Sequence, residues 1–120
     1  MKNSQDKQND PALIISNIHG VREFFEVLQT TKLSQTAVMQ LRPGGRSSEE
    51  LSVHEKSDQV LLLLEGELHG IVGNSTVTMR KGDSCIIPAG TPHRFENHSK
   101  NAAITFNVYA PPEYAPGEKG

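Results

Sequence analysis

Histidine is the residue type in this sequence best suited to bind a metal or move a proton, and the chain has 5 of them. His93 follows a proline–glycine corner in the stretch "GDSCIIPAGTPHRFEN", which runs from Gly82 to Asn97. His54 stands two residues after Ser52, so their side chains share one face of an extended segment. A histidine in a β protein is more often hydrogen-bonded or solvent-exposed than a ligand, so spacing must decide its role.

The other polar residues do not form a recognisable catalytic set. We expect His19, His69 and His98 to be structural or surface residues. Cys85 lies in an apolar segment between two turns, which predicts a small buried side chain rather than a nucleophile. We find no nucleophile with a paired base, no phosphate-cradling glycine loop and no pair of catalytic carboxylates. The residues themselves leave the reaction open.

Short strands separated by turns must position the two histidines. The sequence predicts strands at Leu13–Ser16, Gln35–Leu41, Gln59–Val72, Ser75–Met79, Ser84–Ile87, His93–Asn97 and Ala102–Ala110. Gly73 and Asn74 form a predicted two-residue hairpin turn, and Gly66 predicts a bulge or bend in the long apolar segment. Many short strands at near-even spacing are typical of a β-sandwich or a small β-barrel.

The segment before Gln35 is ambiguous. Ile18, Val21, Phe25 and Leu28 are spaced like one face of a helix, whereas the stretch "FFEVLQT" is short and rich in β-forming residues. We favour a strand that pairs with Gln35–Leu41 through a turn near Thr31.

Length and charge restrict the class of protein. The chain has 120 residues, which predicts one domain, and its single cysteine excludes an internal disulfide bond. The net charge is −2 without a basic stripe, so we expect no nucleic-acid partner. The longest apolar run, Val60–Leu64, is too short to cross a membrane. We see no secretory signal and expect a cytoplasmic protein with a small-molecule ligand.

Three regions differ in composition. We expect residues 1–11 to form a disordered polar tail, residues 12–110 to form the barrel, and residues 111–120 to form an irregular tail that follows the surface. In the apolar run, Gln59, Leu61 and Leu63 share one face while Val60, Leu62 and Leu64 share the other. We expect one face to line the interior and the other to form a homodimer interface.

Two stretches of the second half resemble the sequence motifs of the cupins, which are small β-barrel proteins. The second cupin motif is complete in Gly82, Pro88, Gly90, His93 and Asn97. The positions of the first motif are occupied by Ser52, His54, Gln59 and Gly66. The stretches "VMQLRPGG" and "YAPPEYAPG" also resemble a subgroup called mannose-6-phosphate-isomerase-like, and the resemblance extends over residues 24–117.

The resemblance implies an all-β double-stranded β-helix, or jelly-roll cupin barrel, with little helix, usually dimeric and with a metal inside one mouth. It implies His54, Gln59 and His93 as ligands of a divalent transition metal, namely Fe, Mn, Ni or Zn. Ser52 stands where the family has its first histidine, and Gln59 stands where it has a glutamate. Because Gln59 offers an uncharged oxygen, we expect weaker metal binding than in a complete cupin site. Asp58 should face away from Gln59 in a regular strand.

We expect a largely apolar cavity at this mouth, lined by Ser52, Met39, Leu61, Phe95 and Tyr109. The hydroxyl of Tyr114 either reaches a ligand or covers the mouth. The leading functional interpretation is a metal site that acts on or binds a small metabolite, as in a metal-dependent dioxygenase or isomerase. The alternatives are a metal-poor module that binds or senses a small molecule without catalysis, and a barrel used mainly for self-association.

Overall fold

Antiparallel strands form two sheets in residues 15–120, the part of the chain that the computed structural model describes. The strands are β1 (Phe25–Thr30), β2 (Gln35–Leu41), β3 (Asp58–Glu65), β4 (Glu67–Val72), β5 (Ser75–Arg80), β6 (Ser84–Ile87), β7 (His93–Glu96) and β8 (Ala103–Ala110). One sheet has the strand order β1-β2-β8-β3-β6 and the other has the order β5-β4-β7. This architecture is the predicted all-β double-stranded β-helix.

The two sheets enclose one hydrophobic core because inward and outward residues alternate along the strands. Leu61 and Leu63 of the larger sheet and Leu68 and Phe95 of the smaller sheet have at most 1% of their surface exposed. Within residues 15–120, no helix is long and apolar enough to cross a membrane. The cytoplasmic location stays a prediction.

The loop between β2 and β3 extends the smaller sheet beyond β7. Asn97 O accepts a hydrogen bond from Gly44 N at 2.8 Å, and Phe95 O accepts one from Ser47 N at 2.8 Å. Ser52 and His93 then form a further antiparallel bridge. The loop is therefore held against β7 by its main chain, although it has no regular strand of its own.

The ambiguous segment before Gln35 forms a strand. β1 pairs antiparallel with β2, and Thr30 lies opposite Gln35, as favoured from the β-rich stretch. A short 3₁₀ turn, Ile18–Gly20, precedes it. The predicted strand at Leu13–Ser16 is not found in its described part, where Ile15 is 91% exposed, and its first two residues lie outside the described residues. The predicted tail at residues 1–11 also lies outside them.

The C-terminal segment, residues 111–120, is attached to the barrel more firmly than its composition indicates. It has little regular structure, as expected, but Glu118 O accepts a hydrogen bond from Val27 N at 2.8 Å. Gly120 and Phe25 exchange two backbone hydrogen bonds, at 2.9 and 3.1 Å. The segment therefore lies along β1, at the edge of the larger sheet.

Gly66 separates β3 from β4 at the predicted position, and the chain crosses there from the larger sheet to the smaller one. Its φ of +90° is one that side chains rarely adopt. A Cβ atom on Gly66 would lie 2.7 Å from Ala102 O and 2.8 Å from Ala103 Cα. Since both neighbours are backbone atoms, neither can move aside cheaply.

We expect Gly66→Ala to lower the free energy of unfolding by about 3 kcal/mol or more, because it adds an overpacking clash to backbone strain. Gly82→Ala is the matched control, because Gly82 has a φ of +93° but open space around its Cβ position. We expect the control to lose only about 1–2 kcal/mol. Urea denaturation measures both losses, and equal losses would contradict this explanation of the crossing.

Candidate functional site

A cavity of about 180 Å³ opens between the two sheets. Its lining residues are Phe24, Phe25, Met39, Ser47, Ser52, His54, Gln59, His93, Phe95, Tyr109, Tyr114 and Gly120. All three candidate ligands therefore line one cavity. Of the five expected wall residues, Leu61 alone is absent from this lining. It lies in the hydrophobic core because it stands two residues deeper along β3 than Gln59.

Main-chain hydrogen bonds bring His54 and His93 together. Ser52 N donates to His93 O at 2.8 Å, and His93 N donates to Ser52 O at 2.9 Å. Gly90 N, in the corner before β7, donates to His54 O at 2.8 Å. The ring centroids of the two histidines are consequently 5.0 Å apart, with the ring planes inclined at 51°.

The hydrogen bonding of His93 leaves one ring nitrogen free to act as a ligand. Its Nδ1 lies 2.9 Å from Thr91 O, and since a carbonyl only accepts, Nδ1 carries the proton. The lone pair therefore lies on Nε2. Burial lowers the pKa of His93, the hydrogen bond to Thr91 partly opposes this, and nearby His54 lowers the pKa further. His93 is thus a neutral imidazole at pH 7.

A chain of buried hydrogen bonds orients the side chain of Gln59. Its Nε2 donates to Asn107 Oδ1 at 2.9 Å, and Asn107 Nδ2 donates to Thr105 Oγ1 at 2.9 Å. Thr105 Oγ1 in turn donates to Met39 O at 3.0 Å. The Oε1 atom of Gln59 is buried and has no hydrogen-bond partner among the described residues. The amide therefore leaves its oxygen available as a ligand.

Glu113, which the sequence did not single out, lies beside His54. Glu113 Oε2 is 3.2 Å from His54 Nδ1. The separation suits an ion pair, but the direction of approach does not give a hydrogen bond, so the buried Nδ1 has no hydrogen-bond partner in residues 15–120. His54 is only 8% exposed.

Two tyrosines form the remaining polar part of the cavity wall. The rings of Tyr109 and Tyr114 meet edge to face at 5.2 Å, and each contacts the ring of His54 in the same way. Burial raises the pKa of both hydroxyls. They remain protonated and act as hydrogen-bond donors. Tyr114 also packs on Phe25, with the ring centroids 4.7 Å apart.

Several polar residues of the two motifs have structural roles. Asp58 faces away from Gln59, as expected, and its Oδ1 accepts a hydrogen bond from Ala89 N at 2.9 Å. Asn97 is fully buried, and its Nδ2 donates to Leu41 O at 2.9 Å. Both residues thus fix the two ends of the segment that carries His93.

Ser52 lines the cavity, but its hydroxyl is directed to a neighbour in the same loop. Ser52 Oγ donates to Ser48 Oγ at 3.1 Å. A neutral hydroxyl is a poor metal ligand, so we do not count Ser52 as a fourth donor.

Two other surface concavities contain charged residues. His69 and His98 stack at 4.6 Å in a separate groove of about 350 Å³. A larger groove, of about 750 Å³, meets the cavity at Phe24. This arginine groove is lined by Arg22, Arg42 and Arg46, together with Glu23 and Glu49. We place the functional site in the smallest of the three because it alone is lined by all three candidate ligands, His54, Gln59 and His93.

Comparison with known proteins identifies the family. A family model described as a cupin domain matches residues 37–109. The chain belongs to the cupin family. No curated protein matches the chain. The mannose-6-phosphate-isomerase-like subgroup stays a prediction.

Solved structures share the fold over most of the chain. BH2720 of Bacillus halodurans is 25% identical, with a TM-score of 0.82, and the match covers 91% of this chain and 89% of that one. TT1209 of Thermus thermophilus is 27% identical, with a TM-score of 0.73 and coverages of 82% and 98%. A protein of Thermotoga maritima described as a predicted oxalate decarboxylase is 24% identical, with a TM-score of 0.64 and coverages of 86% and 97%.

The donor atoms in this cupin cavity are of types that bind divalent transition metals, but none of the three candidate ligands carries a negative charge. Two imidazoles and one amide oxygen line the cavity, and Gln59 Oε1 is a buried acceptor without a donor. In residues 15–120, no group of three histidine, cysteine, aspartate or glutamate side chains is arranged to hold a metal. The only side-chain oxygen among the three candidate ligands is the neutral amide oxygen of Gln59.

We expect Asn107→Ala to lower the free energy of unfolding by about 1–3 kcal/mol, because it removes the acceptor of the buried Gln59 Nε2. Chemical denaturation of the metal-free protein measures the loss. Asn101→Ala is the control, because Asn101 is exposed and only its main chain is hydrogen-bonded. A loss of the same size in both variants would contradict the orienting role of Asn107.

Proposed function

We propose that this cupin binds a divalent transition metal, Fe, Mn, Ni or Zn, through His54, Gln59 and His93, and that the metal holds a small metabolite in the cavity. The observation that carries the proposal is the unpartnered, buried Gln59 Oε1 in the same cavity as two imidazoles 5.0 Å apart. A buried acceptor without a donor is costly, and a bound cation would remove that cost.

The protein groups around these donors restrict the metabolite. The cavity volume of about 180 Å³ is below the roughly 300–1,000 Å³ of sites for drug-sized ligands. The phenol hydroxyls of Tyr109 and Tyr114 are protonated donors, while Met39 and Phe95 supply apolar walls. This combination favours a small molecule that carries oxygen acceptors on one side and apolar groups on the other.

The metal would supply Lewis-acid polarisation of a ligand oxygen. Hydrogen bonds within the chain orient two of the candidate ligands. The Thr91 carbonyl fixes the tautomer of His93, and Asn107 fixes the direction of the Gln59 amide. Ser52, in the place of a fourth donor, leaves room for the metabolite. Dioxygenase and isomerase reactions both need a metal position that is open to the substrate, so an open position does not distinguish them. Both reactions stay predictions.

A metal-poor binding module is the second candidate, and the neutral donor set favours it. A divalent cation in a buried site is stabilised by anionic ligands, and none of the three candidate ligands is anionic. In that case the unpartnered Gln59 Oε1 would accept a hydrogen bond from a hydroxyl or amino group of the ligand. A ligand that raises the melting temperature without metal would support this candidate.

We expect tag-free protein, purified without chelators, to bind one of these four ions, and His54→Ala or His93→Ala to weaken binding by about 100-fold or more. The estimate follows from losses of 10–100-fold when even supporting residues of metal sites are removed. Elemental analysis and calorimetric titration with each ion provide the measurement.

His69→Ala and His98→Ala are the matched controls, because these two histidines stack on each other outside the cavity. They should leave metal binding unchanged. Retention of metal by His93→Ala, or its loss in the controls, would place the metal elsewhere. Failure of the wild-type protein to bind any of the four ions would favour the metal-poor module.

We also propose that a second copy of the chain covers the outer face of the larger sheet. Val60, Leu62 and Leu64 of β3 lie on this face, and Val60 is 38% exposed. Ile86, which lies opposite Val60 on β6, is 60% exposed. The alternative is that the N-terminal segment of the same chain covers this face.

We expect light scattering to give twice the mass of one chain, and Ile86→Glu to give a monomer, because the substitution places a charge in the apolar interface. Val53→Glu is the control: Val53 is 37% exposed but lies in the loop before β3, away from this face. A monomeric wild-type protein would refute the dimer.

A further inference from the structure

The three candidate ligands carry no negative charge, and one carboxylate lies within reach of them. Glu113 belongs to the C-terminal segment, far in sequence from either cupin motif. Its Oε2 is 3.2 Å from Nδ1 of His54. Among the ion pairs of residues 15–120, His54 is the partner of Glu113, and neither a lysine nor an arginine neutralises it.

The main chain around Glu113 is held by a buried side chain. Gln35 is 1% exposed, and its Oε1 accepts hydrogen bonds from Glu113 N at 3.1 Å and from Tyr114 N at 2.9 Å. Its Nε2 donates to Tyr114 O at 2.8 Å. Three hydrogen bonds from one glutamine thus fix the position at which the segment passes the cavity.

The carboxylate itself is oriented as well. Buried Ser57, three residues after His54, donates its hydroxyl to Glu113 Oε1 at 3.1 Å. The other oxygen, Oε2, is the one beside His54. The glutamate side chain is 26% exposed and the histidine side chain 10%, so water screens their interaction only partly.

We propose that Glu113 is a positioning residue that orients the His54 ring and supplies the negative charge that Gln59 lacks; this inference rests on the proposed metal site. Rotation of the ring would convert the 3.2 Å contact into a hydrogen bond from Nδ1–H to the carboxylate. That bond fixes the tautomer with the lone pair on Nε2 and makes His54 a stronger ligand. It also gives the unpartnered Nδ1 an acceptor.

The test is a calorimetric titration of the full-length metal-free protein with Zn²⁺, followed by the absorption spectrum of the Co²⁺ form. We expect Glu113→Gln to weaken Zn²⁺ binding by about 10–100-fold and to change the Co²⁺ spectrum. The glutamine keeps an acceptor for Ser57, so the melting temperature of the metal-free variant should change little. Glu118→Gln is the control, because Glu118 lies in the same segment and its Oε1 accepts from Ala115 N, remote from the histidines.

Gln59→Glu in the Glu113→Gln background distinguishes charge from general structural support. If Glu113 acts through its charge, the double variant should recover most of the lost affinity for Zn²⁺. If the wild-type protein binds Zn²⁺ and Glu113→Gln binds it equally well, the inference fails while the proposed metal site stands. If the wild-type protein binds neither Zn²⁺ nor the other three ions, the proposed function fails and the inference fails with it.

Discussion

The candidate site depends on the main-chain pairing between the β2–β3 loop and the start of β7. Ser52 and His93 exchange two backbone hydrogen bonds, and a third joins Gly90 to His54. These bonds place the two imidazoles in one cavity whatever side chain occupies position 52. Ser52 takes part in this pairing only through its main chain, so the pairing itself does not require a histidine at this position.

Charge is the second constraint on this cavity. His93 is kept neutral by burial, and Gln59 contributes a dipole where a cupin glutamate would contribute a charge. A cation in such a place needs a carboxylate nearby, since an isolated charge is costly to bury. Glu113 is the carboxylate nearest to His54, and it is held there by a segment that pairs with β1. The C-terminal segment would therefore supply negative charge beside the histidine of the first cupin motif.

Local patterns were enough to predict most of the barrel and part of the site. The β-rich stretch before Gln35 indicated β1, and Gly66 indicated a bend in the apolar segment. That the chain crosses from one sheet to the other at this bend was not predicted. The spacing of the two cupin motifs placed His54, Gln59 and His93 in one cavity. Strand alternation predicts which face of the sheet a side chain is on, but not how far from the barrel mouth it lies. Leu61 is therefore on the predicted inward face but in the core rather than in the cavity wall.

Contacts between remote segments could not be read from the sequence. Glu113 reaches His54 only because Gln35 binds the main chain of the C-terminal segment, and no periodicity connects these three residues. The arginine groove has the same origin: residues around β1, β2 and the following loop converge only after the sheets form. Side-chain orientation was also inaccessible, since the direction of the Gln59 amide depends on Asn107 in another strand.

We have proposed that His54, Gln59 and His93 together hold one divalent cation. Anomalous scattering recorded on both sides of the zinc edge, from a crystal of the protein with Zn²⁺, would locate that cation. We expect one zinc peak in the cavity, about 2.0–2.2 Å from Gln59 Oε1, His93 Nε2 and a ring nitrogen of His54. An ordered cavity without a zinc peak, or a peak only between His69 and His98, would contradict it.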